Sequence, residues 1–457
     1  MERWSHKNGY KDVLHISLPL IASMGATTLM QFTDRIFLGH YSLESLAAVL
    51  PAGITVFLFI SFFMGVGSYT NVFIAQYTGA NRPEQVGSAT WQGVYFSLFA
   101  AAILASLCFA AEFIFSLAGH SPEIQELEVA YFRISCLGSG FCILEASLAG
   151  FFSGRGITRV VMIANLLGAC VNIPLDYLLI NGIWIFPEIG IRGAAWATVA
   201  GWAVIALVYI LLIFNQENER RFCIFSARTF SLDKFRRLLR YGLPNGVQFF
   251  LDIFAINFFI FMVGRIGSLE LAATNIVFSL DVLAFLPMVG LSIGVGTLVG
   301  QAIGANKPDN ARYATISALH LGLFYMGVMA LIFVSLPEFL IRLFSSDTLM
   351  PAGDFTRIIE IGTILLRFVA VYTLMDAVCL VIMGTLKGAG DVHYVMRTLG
   401  LTSLIAMVLP LYVGMVVFHL GIYFAWTCLT LYVLAILCII TRRYRSGAWA
   451  DMKIIES

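Results

Sequence analysis

The chain has 457 residues, of which 59% are hydrophobic and only 12% carry a charged side chain. Soluble globular proteins have about twice that fraction of charged residues, so this composition excludes a soluble enzyme, a nucleic-acid-binding protein and a disordered scaffold. The 28 basic residues nearly balance the 27 acidic ones, and no net field would attract a polyanion. These features predict an integral membrane protein.

The hydrophobic residues form long uninterrupted runs along the whole chain. A helix needs about 20 apolar residues to cross a bilayer, whereas the strands of a membrane barrel alternate apolar and polar residues. The runs therefore predict an all-α fold with twelve transmembrane helices. In chain order, we expect these helices at 14–38, 46–75, 89–115, 124–152, 159–181, 192–214, 239–264, 271–300, 312–336, 357–386, 392–416 and 420–441.

The loops between these helices differ in their basic residues. If the N-terminus lies inside the cell, the outer loops contain only Arg192, Arg265, Arg342 and Arg357. The inner segments contain most of the others, and the stretch from Arg220 to Arg240 alone has seven. Cytoplasmic loops are enriched in Lys and Arg, so this asymmetry predicts that both termini are cytoplasmic.

Landmarks of the first half recur in the second half at one constant spacing. Leu18-Pro19 recurs as Leu243-Pro244, Gly39 as Gly264, and the polar loop from Gln76 to Glu84 as the loop from Gln301 to Asp309. Each half has six predicted helices, which is an even number, so the repeats are parallel. We expect an N-terminal bundle (1–215), a cytoplasmic linker (216–238) and a C-terminal bundle (239–457). Duplicated bundles of this kind are typical of proteins that work by alternating access.

Acidic residues inside the predicted helices are the main candidates for function. A charged side chain at the bilayer centre costs at least about 2.5 kcal/mol, and such residues usually face a cavity or an ion pathway. Asp34 lies late in the first helix, and Asn172 and Asp176 share one face of the fifth because they are four residues apart. Pro174 between them lacks an N–H and should release a carbonyl one turn earlier. Such oxygen atoms suit Na⁺, and the carboxylates could equally carry a proton.

A second group of candidates lies in the other half. Asp252 is flanked by phenylalanines in the seventh helix, and Tyr372 and Asp376 share one face of the tenth. Aromatic faces attract cations and a carboxylate neutralises them, which favours a site for lipophilic cations. Glu145 and Asp281 are weaker candidates, since each could be a polar contact between helices.

Together these features resemble the multidrug and toxic compound extrusion (MATE) family, over essentially the whole chain. The resemblance rests on the twelve helices in two parallel halves, the duplicated Gly-Ala-Asn-Arg/Lys-Pro loop, the sequence from Asn172 to Asp176, and the sequence from Gly193 to Thr198. It implies a first cation site formed by Asp34, Asn172, Asp176 and Thr198, which would bind the metal ion if the protein uses Na⁺. The NorM-like branch, which fits better than the DinF-like branch, adds a second site at Asp252, Tyr372 and Asp376. The chain departs from that branch at Asp252, where Glu is usual, and at Asp281, where no acid is expected.

The resemblance implies a secondary antiporter of the bacterial inner membrane. It would act as a monomer and exchange Na⁺ or H⁺ for amphipathic, mostly cationic drugs. It would need no cofactor, nucleic acid or nucleotide, and the repeated polar loop lacks the Gly-Lys-Ser/Thr ending of a nucleotide-binding loop. Two other functions fit the sequence less well. A lipid-linked precursor flippase of the same superfamily would need a basic cavity, and a membrane-embedded enzyme would need a catalytic motif that the chain lacks.

Overall fold

The structure is a computed structural model that describes residues 2–117, 120–344 and 352–456. Within these ranges, twelve helices are long and apolar enough to cross a membrane. They are α1 (Tyr10–Tyr41), α2 (Glu44–Gly79), α3 (Pro83–Ser116), α4 (Pro122–Ser153), α5 (Thr158–Asn181), α6 (Ile191–Ile213), α7 (Leu232–Gly264), α8 (Ser268–Gly304), α9 (Pro308–Ser335), α10 (Phe355–Ala389), α11 (Val392–Val417) and α12 (Ile422–Arg445). Each helix coincides with one predicted apolar run, and the predicted all-α membrane fold is confirmed.

The helices extend beyond the apolar runs mainly at their polar ends. The clearest case is α7, which begins at Leu232, seven residues before the predicted start. The prediction relied on apolar length, and it therefore missed the first turns of this helix, which are charged. A short helix, Gln216–Phe222, precedes it. Near the other end of the chain, α11 contains two wider π-helical segments, Ser403–Val408 and Val413–Val417, which local hydropathy does not predict.

The duplicated polar loops have the same backbone conformation. Asn81 and Asn306 occupy equivalent positions and have φ of 55° and 58°, in the left-handed region that Asn tolerates better than most residues. Pro83 and Pro308 then begin the next helices, where a missing N–H costs nothing. Each loop is therefore a tight turn between two helices.

The chain forms two compact units. The first, called the N-unit here, contains Leu18–Phe250, Gly300–Asn306 and Lys453–Ser457. The second, the C-unit, contains Met1–Ser17, Leu251–Val299 and Lys307–Met452. Three of the limits fall inside helices, within α1, α7 and α8. The bundles 1–215 and 239–457 expected from the sequence are defined by the internal repeat, whereas these units are defined by contacts, so the two divisions of the chain describe different properties.

One apolar cluster in the N-unit positions its candidate site. Leu38 of α1 packs in it with Ala48 of α2, Ile180 of α5 and Ile191 of α6, and all four side chains are buried. Leu38 lies one helical turn after Asp34, and Ile180 lies one turn after Asp176. The cluster thus holds α1 and α5 together next to the two acids.

Candidate functional site

Asp34 and Thr198 are in direct contact inside the N-unit. The Thr198 hydroxyl on α6 donates a hydrogen bond to Asp34 Oδ2 on α1 at 3.2 Å. Asp34 is only 8% exposed. The contact joins two helices that are far apart in sequence, and it was implied by the family resemblance but not by any local pattern.

Asn172 and Asp176 on α5 complete this group, which is called the N-site here. Both side chains are fully buried, and the Asp34 and Asp176 carboxyl groups are close enough to interact directly. The structure therefore brings together all four residues predicted for the first cation site. Two buried carboxylates repel each other strongly, and a cation or a proton between them would remove that repulsion.

Several polar atoms of the N-site have no hydrogen-bond partner among the described residues. They are Asp34 Oδ1, both side-chain oxygen atoms of Asp176, and both polar atoms of the Asn172 amide. Buried polar atoms are nearly always paired, so each such atom in a protein needs an explanation. Four of the five are oxygen atoms, the ligand type that hard cations such as Na⁺ prefer in proteins. The donor set therefore fits a monovalent cation.

Other metal ions fit the described residues less well. No group of three or more His, Cys, Asp or Glu side chains in the described ranges is arranged to hold a metal ion. Zinc sites usually need three or four such ligands. A cation at the N-site would instead be held by two carboxylates together with the neutral oxygen atoms of Asn172 and Thr198.

Helix α5 carries its two polar residues through a proline without ending. Pro174 lies inside the continuous helix Thr158–Asn181, and its missing N–H leaves the Cys170 carbonyl without its usual helical donor. On the facing helix α6, a Cβ added to Gly201 would lie 3.2 Å from Asn172 Cβ and 2.9 Å from the end of Met30. A glycine at this position lets α6 approach the N-site closely.

Sequence reasoning missed one residue next to the N-site. Tyr131 on α4 packs against the cluster that contains Leu38, and it interacts electrostatically with both Asp34 and Asp176. A single tyrosine in an apolar helix carries no pattern that would reveal this. Glu145, further along α4, has a buried Oε2 atom without a partner in the described chain.

The candidate residues of the C-unit are connected differently from the expected pattern. Tyr372 on α10 donates a hydrogen bond to Asp281 on α8, with 2.8 Å between Tyr372 Oη and Asp281 Oδ2. Asp376 lies one turn beyond Tyr372 and is within electrostatic reach of both Asp281 and Asp252. The region, called the C-site here, thus contains Asp252, Tyr372 and Asp376 together with Asp281, which the sequence analysis ranked lower.

Aromatic side chains surround this tyrosine. Trp426 on α12 is fully buried and stacks on Tyr372, with 6.4 Å between ring centroids. Phe259 on α7 and Phe278 on α8 pack on the same indole at 5.7 Å and 5.2 Å. Aromatic residues beside Asp252 are visible in the sequence. Trp426 could not be identified in the same way, because the rings that pack on it come from three other helices.

A family profile and individual relatives of this chain indicate the same family. The sequence profile of the MatE family matches residues 19–178 and 244–412, which is most of both halves. A probable multidrug resistance protein NorM of Thermotoga maritima is 27% identical over 418 residues, covering 91% of this chain and 88% of its own length. A probable NorM of Pseudomonas putida is 30% identical over 387 residues, covering 83% and 82%.

Solved structures share the fold. One is described as the outward-facing conformation of a multidrug resistance MATE family transporter of the MOP superfamily, with a TM-score of 0.87, 20% identity and 98% coverage of both chains. Another is a MATE in the bent conformation, with a TM-score of 0.85, 21% identity and 96% coverage of both. With the family profile matching both halves, the chain belongs to the MatE family as a NorM-like membrane transporter, and it is not an enzyme.

Proposed function

We propose that this transporter expels amphipathic, mostly cationic organic compounds from the cell in exchange for Na⁺ or H⁺, by alternating access. The observation that carries the proposal is the N-site, in which two buried carboxylates and the Asn172 amide have polar atoms without a hydrogen-bond partner among the described residues. The names of the NorM relatives support drugs as the exported compounds. The relatives are bacterial, which favours the inner membrane.

The N-site would provide the coupling between ion and drug. A ligand shifts a conformational equilibrium only if it binds one state better than the other. A cation bound between Asp34 and Asp176 would remove their repulsion and draw α1 and α5 together. The state with the ion bound and the state without it would therefore differ in the packing of these helices, and the drug would bind in the state that lacks the ion.

The flippase alternative is less well supported by the described residues. A flippase for a lipid-linked pyrophosphate needs basic side chains in its cavity. The buried charged residues of the N-site are carboxylates. At the C-site, Asp376 lies within electrostatic reach of Asp281 and Asp252, and Lys387 lies near Asp252. The excess of negative charge at both sites would repel a pyrophosphate. We therefore retain the antiporter as the proposal, with a monomeric chain and cytoplasmic termini.

Reconstituted transport tests this proposal directly. The purified protein in liposomes should accumulate or release an organic cation when a Na⁺ gradient or a pH gradient is imposed separately, and the effective gradient identifies the coupling ion. The variant Asp34→Asn should lose gradient-driven transport and still reconstitute at the normal level. Undiminished transport by Asp34→Asn would refute the assignment of the N-site. Absence of transport by the wild type under either gradient would refute the antiport itself.

A further inference from the structure

Asp281, one of the weaker candidates from the sequence, is the hydrogen-bond partner of Tyr372. The two side chains come from α8 and α10, and the tyrosine hydroxyl lies 2.8 Å from Asp281 Oδ2. Tyr372 also shares a face of α10 with Asp376, one turn away on the same helix. The tyrosine hydroxyl is nevertheless directed to a neighbouring helix.

The face of α8 that carries Asp281 is also aromatic. Phe278 precedes Asp281 by three residues and so lies on the same side of the helix. Its ring packs against Trp426 at 5.2 Å, and Trp426 stacks on Tyr372 with an angle of 28° between the ring planes. Asp281 is therefore bordered by rings from its own helix and from α10.

The buried indole of Trp426 adds a polar element. Its Nε1 atom has no hydrogen-bond acceptor among the described residues, although Trp426 is fully buried. A buried donor without a partner costs roughly 1–3 kcal/mol. Because the N–H hydrogen is partially positive, it could pair only with an acceptor atom of a bound compound and not with its charged group.

This combination of groups discriminates between types of cation. Na⁺ is bound by several oxygen atoms at once, and ring faces cannot replace them. An organic cation spreads its charge over a larger surface, so it gains from contact with ring faces and needs only one carboxylate for neutralisation. At this point the Asp281 carboxyl group and the Tyr372 hydroxyl lie next to stacked rings, with Asp376 within electrostatic reach, and this combination matches the second kind of cation.

We propose that Asp281, with Tyr372 and the rings of Trp426 and Phe278, forms a subsite that binds the aromatic organic cation during export. This subsite depends on the proposed function, because it assigns the exported compound to the C-unit and leaves the coupling ion to the N-site. Asp281 is then the residue that selects for positive charge in the drug, in addition to Asp252 and Asp376.

Equilibrium binding tests this subsite independently of transport. Tetraphenylphosphonium and tetraphenylborate have the same shape and four phenyl rings but opposite charge. We expect purified wild-type protein to bind the phosphonium and to prefer it over the borate. Asp281→Asn should raise the Kd for the phosphonium at least about tenfold, which corresponds to the loss of one charged contact, and should leave the Kd for the borate unchanged or lower it.

The matched control is Asp309→Asn. This substitution also removes one negative charge from the C-unit, but Asp309 is exposed and paired only with Arg312, so its phosphonium Kd should equal that of the wild type. Asp281→Glu retains the charge and should stay within a few-fold of the wild type. Tyr372→Phe keeps the ring and should weaken binding several-fold.

Three results would overturn the subsite. They are a wild type that does not bind the phosphonium, an Asp281→Asn variant that binds it as Asp309→Asn does, and an Asp281→Glu variant that loses binding as completely as Asp281→Asn. The last result would mean that packing and not charge is responsible. If Asp281→Asn does not fold, Tyr372→Phe takes its place, and phosphonium binding equal to that of the wild type in this variant would overturn the subsite. None of these results depends on whether a Na⁺ or pH gradient drives transport, so this inference and the antiport can fail separately.

Discussion

Gly79 lies directly against the backbone carbonyl of Gln301, and its repeat equivalent Gly304 lies against the carbonyl of Gln76. A Cβ added to either glycine would overlap the backbone carbonyl oxygen of the facing glutamine. All four residues belong to the N-unit, so the duplicated loops meet each other inside a single unit. The Gln301 amide also donates to the Gly154 carbonyl at 2.8 Å, which ties this meeting point to α4.

This close approach predicts that Gly79→Ala destabilises the protein. Backbone atoms cannot move aside as a flexible side chain can, and overpacking of this kind costs about 1–3 kcal/mol. We expect a clearly lower melting temperature of the purified protein in detergent. The matched control is Gly327→Ala in α9, where a Cβ would meet nothing within 4 Å, and its melting temperature should not fall. Equal melting temperatures for the two variants would contradict the packing seen here.

The hydrogen bond from Thr198 to Asp34 predicts a graded loss of ion affinity. Thr198→Val keeps the shape of the side chain but removes the hydroxyl that contacts Asp34. A hydrogen bond to a charged group contributes about 1.5–3 kcal/mol, so the ion concentration that gives half-maximal transport should rise by about tenfold or more. Thr198→Ser retains the hydroxyl and should behave like the wild type. If the serine and valine variants respond equally to the ion, Thr198 does not act through its hydroxyl.

Replacing Asn172 by leucine should make the protein more stable but inactive in transport. The Asn172 amide is fully buried, and although it lies beside the Asp176 carboxyl group, no well-aligned hydrogen bond among the described residues satisfies either of its polar atoms. Asn172→Leu is similar in size and removes this unpaired group, so we expect the melting temperature to rise, by the equivalent of about 1–3 kcal/mol. Gradient-driven transport should be lost at the same time, because an oxygen ligand of the N-site is gone. A variant that is less stable and still transports would show that the amide is paired in the native protein.

The segment after α12 should be held more by its buried contacts than by its ion pair. The Ile454 N–H donates to Gln76 Oε1 at 3.0 Å, and Gln76 is fully buried. The Arg237–Glu456 ion pair beside it is 2.6 Å long, but its side chains are 27% and 40% exposed. Exposed ion pairs contribute little, about 0–1 kcal/mol. Gln76→Leu should therefore speed hydrogen exchange at the Ile454 amide far more than Arg237→Gln does.

The reverse order of exchange rates would indicate that the ion pair is the principal contact of this segment. Repeating the measurement at high salt provides a control. Salt weakens exposed ion pairs and leaves buried hydrogen bonds nearly unchanged, so the Ile454 amide of the wild type should remain protected.

The membrane class, the twelve helices and the repeat could all be derived from the amino-acid sequence. Apolar length decides whether a segment crosses a bilayer, and this property is local. The duplicated polar loops were equally readable, because their polar residues interrupt the apolar runs locally. The shared face of Asn172 and Asp176 follows from helical periodicity alone.

Only the tertiary structure decided which side chains from different helices meet. No spacing in the chain indicates that Thr198 donates to Asp34, that Tyr131 lies beside both acids, or that Tyr372 bonds to Asp281 instead of staying near Asp376. A helix determines which residues share its own face, but its rotation and its neighbours depend on the packing of all the helices together. For that reason the ionisable residues were identified from the sequence itself. The grouping of Thr198 with Asp34 was implied only by the family resemblance, and the contacts of Tyr131 and Asp281 were not identified at all.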